Sequence, residues 1–308
     1  MAQLIKLQDY ISRYESNIYQ YPSKYIRLKQ EHWKKMKSLF DQGLLEQSST
    51  EEAPEEEGHL YKKSGWKRLF RTHSDDAQPQ PPVSRKDNVQ LPKTIDQLKK
   101  YFLDGLFPFQ LKWASTTLRE KSFVHQSYKE DERLKFYLQR FPDTYFLMYR
   151  PVVVMKRAEM EALPILIGPY GIEIIYEMDL PGADEVEPTS EKSWYMEKDG
   201  VRTKMLSPVL ALNRTETFIK SVWNAYGLSF PVQKVVLAPN LSFKHRQEPY
   251  MTTFVDRERY DTWLQERRQY VSPLKHEQLK AAEALLKHCQ TTSFKRPEWD
   301  SDEEFMED

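Results

Sequence analysis

The stretch LPILIGPYGIEIIYEMDLPG, residues 163–182, constrains this chain more than any other. Ile165, Leu166, Ile167, Ile172, Ile174 and Ile175 are too apolar and too β-branched for a solvated loop. A Gly-Pro-Tyr-Gly corner interrupts them. Pro169 fixes its own φ and Gly171 tolerates a positive one, so the run reads as two strands, 163–168 and 171–178, joined by a tight turn. Side chains alternate along a strand, which puts Ile172, Ile174, Tyr176 and Met178 on one face and Glu173, Ile175, Glu177 and Asp179 on the other. Sliding the strand by one residue would turn both faces over, and a buried face resists that.

On either side the periodicity is mostly helical. Leu4, Leu7, Ile11, Tyr14 and Ile18, then Ile26, Trp33, Met36 and Phe40, predict two helices within a helical N-terminal extension at 1–45, broken at Tyr21-Pro22-Ser23. Residues 46–92 are polar and rich in acids and prolines, a composition that predicts a disordered linker. An island at 59–73 interleaves Lys62, Lys63, Lys67, Arg68 and Arg71 with Trp66 and other aromatics. It suits a nucleic-acid contact, an anionic membrane surface or docking on the chain's own body. Residues 93–128 read as a helical lead-in punctuated by Gly105 and Pro108.

A helix at 129–140 follows, then a strand at 144–155 bent by Pro151, and a charged link that contains Glu161. Beyond Gly182, Asp199-Gly200 signals a hairpin and Ser207-Pro208 opens a helix that Gly227 ends. Strands at 232–238 and 251–255 and helices at 257–268 and 273–287 complete the pattern, with a C-terminal helix and acidic tail occupying 271–308. The fold class is α/β: a mixed sheet flanked by helices.

The block GIEIIYEMDLPG resembles the central strand of the nuclease-related domain (NERD) family of the PD-(D/E)XK nuclease group, whose members carry a pattern close to G-V-F-V-I-E-V-K-N-x-x-G. The resemblance spans about 129–265 and implies a restriction-endonuclease-like core in a domain at 129–270. Laid on without a gap, Gly171 and Gly182 match the glycines and Asp179 takes the asparagine position. The catalytic glutamate falls on Tyr176, the lysine on Met178 and the upstream aspartate near Leu163. The family's helical glutamate falls on Glu130 or Glu132, and its N-P-x-x-Q signature becomes Ser207-Pro208-Val209-Leu210-Ala211. Tyr176 and Met178 supply neither a hard anionic oxygen for Mg²⁺ nor a positive charge. The resemblance therefore implies a catalytically inactive nuclease-related protein, without cofactor, that binds nucleic acid or a protein partner.

Two other expectations stand beside that one. A displaced Mg²⁺ nuclease site would gather Glu161, Glu173, Glu177 and Asp179, with Lys198 or Lys204 as the cation. A structural protein would self-associate through its N-terminal helices. Lys and Arg together number 46 and so do Asp and Glu, so no global field advertises a polyanion partner. A single cysteine, Cys289, excludes an internal disulfide framework, and no apolar run is long enough for a bilayer, which makes the cytoplasm the expected compartment. Neither a Gly-rich phosphate loop nor a zinc-type His/Cys pattern occurs.

Overall fold

The two apolar runs of the central stretch pair as their residues require, and a larger sheet is built outward from them. The structure is a computed structural model that describes residues 1–45, 91–155, 158–244, 247–269 and 272–296. The order begins with β1 (Gln3–Leu7), α1 (Arg13–Ser16), α2 (Tyr21–Asp41), α3 (Ile95–Trp113), β2 (Glu120–Lys121) and α4 (Glu132–Arg140). Then come β3 (Phe146–Tyr149), β4 (Val152–Met155), β5 (Ala158–Glu161), β6 (Ile165–Ile167), β7 (Ile172–Glu177), β8 (Glu185–Pro188), β9 (Ser193–Lys198) and β10 (Val201–Leu206). The chain continues with α5 (Pro208–Tyr226), β11 (Val232–Leu237), β12 (Ser242–Phe243), β13 (Thr252–Val255), α6 (Tyr260–Gln269), α7 (His276–Leu286) and β14 (Phe294–Lys295).

Two compact units emerge, one of Met1–Pro22 with Leu111–Asp308, the other Ser23–Gln110. In the second, Tyr25 stacks on Phe109 at 6.3 Å and Trp33 meets Phe102 at 5.2 Å. The first holds a six-stranded sheet in the order β1-β3-β6-β7-β11-β13. β6 runs antiparallel to both neighbours, and the other strands run parallel, so their carboxyl ends share one edge. The architecture is α/β, a mixed sheet flanked by helices, with a helical region near the N-terminus.

Side-chain contacts fix what covers each face. Lys234 of β11 lies in register with Ile174 of β7 and reaches Asn213 and Glu216 of α5, so that face lies under α5. Glu173 meets Arg267 of α6, and Glu177 meets Arg133 of α4, so the opposite face lies under α4 and α6. The expected alternation along β7 is therefore present. A smaller sheet, β10-β9-β8-β12, is pinned to this core by Trp194, which is 1% exposed and meets Phe254 edge-on at 5.1 Å. The tight turn between β9 and β10 has positive φ at Asp199 and Gly200, as the Asp-Gly pair predicts. Ser207 caps α5 by accepting from Val209 N, and Gly227 ends it at φ +62°.

Three expectations change. Residues 3–7 form a strand and not helix, and all five are buried. A parallel strand covered on both faces is continuously apolar or internally satisfied. Here Lys6 Nζ donates to Tyr10 O, Glu15 Oε1 and Thr291 Oγ1, and Gln3 Nε2 donates to Asp143 O at 2.7 Å. α3 runs through Gly105 and Pro108 without a break. An interior proline costs about 3 kcal/mol, which burial of Leu98, Phe102, Leu106, Phe107 and Phe109 offsets at roughly 1.5–3 kcal/mol for each side chain. The strand at 144–155 is cut in two after Tyr149, where Arg150 has φ +51°, and its second half pairs with β5 in a separate ribbon.

Candidate functional site

At the carboxyl edge of the parallel strands, β7 ends on Glu177, β3 on Tyr149 and β1 on Leu7. In open α/β sheets that edge is where ligands bind. α4 brings its first turn to the same place. Asp131 caps it, accepting from Arg133 N and Leu134 N at 2.9 Å each. With its backbone held there, Arg133 extends to Asp179 at 2.7 Å and to Glu177 at 3.3 Å. The second carboxylate oxygen of Asp131 accepts from the Tyr149 hydroxyl at 3.0 Å.

Glu177 is the unusual member. Burial pushes its carboxyl above the ordinary range, Asp131 and Asp179 push the same way, and Tyr137 and Arg133 do not cancel the rise. The Tyr137 hydroxyl, fully buried beside that carboxyl, makes no complete hydrogen bond. Burial, reinforced by Asp131, keeps the Tyr149 phenol protonated far above its usual range, and burial raises Tyr128 to about 12. The Tyr128 and Tyr149 rings meet edge-on at 6.4 Å.

Next to this group stands a second guanidinium. Arg150 pairs with Glu161 at 2.7 Å, and Gln8 Nε2 donates to the other oxygen of Glu161 at 3.3 Å. Gln8 and Arg150 both have left-handed backbones, at φ +43° and +51°, a conformation that residues with a Cβ adopt at a cost of about 1–3 kcal/mol. The edge thus combines a carboxyl that burial raises above its ordinary range, two guanidinium groups and three buried phenols. Such a set can neutralise an anionic centre and exchange a proton with it.

The carboxylates proposed from sequence do not assemble as one metal site. Glu177 and Asp179 share Arg133, whereas Glu173 is taken by Arg267 at 2.5 Å and Glu161 by Arg150. Four residues of strand separate Glu173 from Glu177, roughly 13 Å. Among the described residues no group of three or more His, Cys, Asp or Glu could hold a metal ion. Lys198 donates to Pro181 O and Lys204 is exposed on β10, so neither supplies the cation. Tyr176 and Met178 lie on the α5 face, Met178 being 4% exposed, and Leu163 N donates to Thr215 Oγ1. Glu130 accepts from Gln126 Nε2 and Glu132 pairs with Lys135, both away from Glu177. Lys62, Lys63, Trp66, Lys67, Arg68 and Arg71 lie outside the described residues, as do the linker at 46–90 and the tail at 297–308. Cys289 is no nucleophile: burial raises its thiol to about 12, and it donates to Leu285 O.

Sequence reasoning missed Arg133, Asp131 and Tyr149. Asp131 caps the helix expected at 129–140, but the arginine two residues on carries no periodic signal of its own.

No family model matches this chain, and no solved structure does. An RNA 2',3'-cyclic phosphodiesterase of Geobacillus stearothermophilus is 37% identical to it over 113 residues, which is 36% of this chain and 36% of that protein. The match therefore spans about a third of that relative's length. This likeness corrects the expectation of an inactive, purely binding nuclease-related protein, because the similar chain is named as a phosphodiesterase.

Proposed function

We propose that this protein is a phosphodiesterase that opens cyclic phosphodiesters at RNA ends, and that its reaction centre is the carboxyl edge around Glu177 and Arg133. One observation carries the reading. A carboxyl raised by burial is held 3.3 Å from a guanidinium at the end of the central parallel strand. Opening a 2',3'-cyclic phosphate requires water to attack phosphorus while negative charge grows on the non-bridging oxygens and one ring P–O bond breaks. Arg133, with Arg150 nearby, offsets that charge. Glu177 takes the proton of the attacking water, a task suited to a carboxyl whose proton affinity burial has raised. The released ribose oxygen is protonated from solvent. Tyr149 holds Asp131, and Asp131 holds the backbone from which Arg133 projects. Partial likeness to the Geobacillus enzyme supports this choice of reaction.

The test is hydrolysis of adenosine 2',3'-cyclic monophosphate and of an oligoribonucleotide ending in a 2',3'-cyclic phosphate, with and without added divalent cations. Expected are turnover by the full chain and a loss of about 100-fold or more in Glu177→Gln and in Arg133→Met. Absence of turnover on both substrates overturns the reading.

A further inference from the structure

Away from that edge, β2 and β14 form a short antiparallel ribbon in which cations gather. Phe294 lies opposite Lys121 and Lys295 opposite Glu120, and Arg296 N donates to Arg119 O at 2.9 Å, placing the two arginines across from each other. Like charges directly opposed destabilise a ribbon unless something anionic sits between them. Arg13 adds to the group: its guanidinium lies over Trp113 at 5.4 Å and donates to Thr116 O at 3.2 Å. Burial lowers Arg13 and Lys112, and Arg296 lowers both further. Arg296 Nε is buried without a hydrogen-bond partner. Glu120 is the one acid on the ribbon, and among the described residues it makes no ion pair with these cations.

Aromatic rings are interleaved with the charges. Phe123 and Phe294 meet at 5.4 Å and are 62% and 54% exposed, and Lys121 Nζ sits over the Phe123 ring at 5.2 Å. Two neighbouring rings rimmed by cations that form no ion pair among the described residues match what a single-stranded nucleic acid presents, flat bases alternating with phosphates. A lipid surface would want a broader apolar body or an amphipathic helix, whereas the exposed apolar groups here are these two rings and Leu118.

We propose that this ribbon is a docking surface for single-stranded RNA, in which Arg13, Lys112, Arg119 and Arg296 hold phosphates and Phe123 and Phe294 stack bases. The choice of RNA rests on the proposed function; the surface and its polyanion character do not. The surface holds the body of the chain and takes no part in bond breaking.

The experiment is fluorescence anisotropy of the full chain with a labelled ten-nucleotide RNA ending in a 3'-phosphate, at two salt concentrations. It is run beside turnover of adenosine 2',3'-cyclic monophosphate. Arg119 is exposed, so Arg119→Gln leaves packing alone. Expected are a loss of about 10-fold in affinity for Arg119→Gln with Lys121→Gln, and several-fold for Phe123→Ala. The salt slope should fall by about 0.7 for each phosphate contact removed, and mononucleotide turnover should be unchanged. Unchanged RNA affinity in these variants, absence of RNA binding, or tighter binding to phosphatidylserine vesicles than to RNA overturns the inference. Patch-dependent RNA binding without mononucleotide turnover sustains this inference and sinks the proposed function. Turnover without patch-dependent binding does the reverse.

Discussion

Two carboxyl groups on opposite faces of the central sheet expose similar fractions of their side chains, yet they behave in opposite ways. The Glu216 side chain is 12% exposed and that of Glu177 is 18% exposed. Burial pushes Glu216 up, but hydrogen bonds from Lys220 and Lys234 outweigh it and bring the carboxyl below its ordinary range. Lys234 is itself completed by Asn213 at 2.9 Å. Glu177 must share its arginine with Asp179, has Asp131 nearby, and faces a tyrosine hydroxyl left unsatisfied. Side-chain exposure does not separate them; the heavier desolvation of Glu177 and its incomplete partners do. One cluster is a finished brace between α5 and β11. The other is held short of neutralisation, the condition in which a site can still respond to a ligand.

Substitution at the two glutamates gives the sharpest contrast. Glu177→Gln should lower cyclic phosphodiester turnover by about 10²–10⁴-fold, while Glu216→Gln, assayed below its melting temperature, should stay within a few-fold of the parent. Equal losses in two folded variants would erase the distinction. Stability should invert the order. Lys234→Met leaves Glu216 short of a partner and should cost about 2–3 kcal/mol by urea unfolding, somewhat under the value for a wholly buried pair. Tyr137→Phe removes a hydroxyl whose bond to Glu177 is incomplete, so it should change stability by less than about 1 kcal/mol.

Acid then separates the two by sign. Glu216 is lowered in the fold, so its contribution is full above the ordinary carboxyl value of 4.5 and is lost as pH falls through its lower folded value. Glu177 is raised, so the native state holds its proton more tightly, and its charge costs stability increasingly as pH rises from 4.5 through the raised value. In melting curves from pH 4 to pH 7.5, Glu216→Gln should lose most at the upper end. Glu177→Gln should gain most there. Both differences should shrink toward pH 4, and a Glu177→Gln gain that grows in acid would contradict the assignment. A small effect is also expected at Tyr149→Phe, about 1 kcal/mol for the bond to Asp131, with a modest fall in turnover as Arg133 loses its positioning.

Much of this sheet could be read from residue order because local chemistry and tertiary packing agree there. The Gly-Pro-Tyr-Gly corner, the Asp199-Gly200 turn and the Ser207 and Gly227 helix ends each carry a local cause. The alternation of β7 also held, and it placed Glu177 and Asp179 on the face that α4 covers. The strand at residues 3–7 was not legible. Its leucines fit a helical period, and what decides the matter is its pairing with residues 146–149. The cluster at the carboxyl edge was hard to read for a related reason. Matching Tyr176 and Met178 to a catalytic pattern directed attention to the α5 face, while Arg133, Tyr149 and Asp131 converge only through folding. Nothing in the order of residues says that an arginine in one helix will reach an acid more than forty positions later.

The strand at residues 3–7 also bears on how the chain is made. Its hydrogen-bonding neighbour is residues 146–149, and Lys6 finishes its contacts only on Thr291, 285 positions away. While a ribosome is still adding the middle of the protein, Gln-Leu-Ile-Lys-Leu has no mate, and an apolar segment with a free edge is a template for wrong pairing. Nascent chains should therefore lean on holdase chaperones until the final third has emerged, and release of the finished polypeptide should set the pace of its maturation.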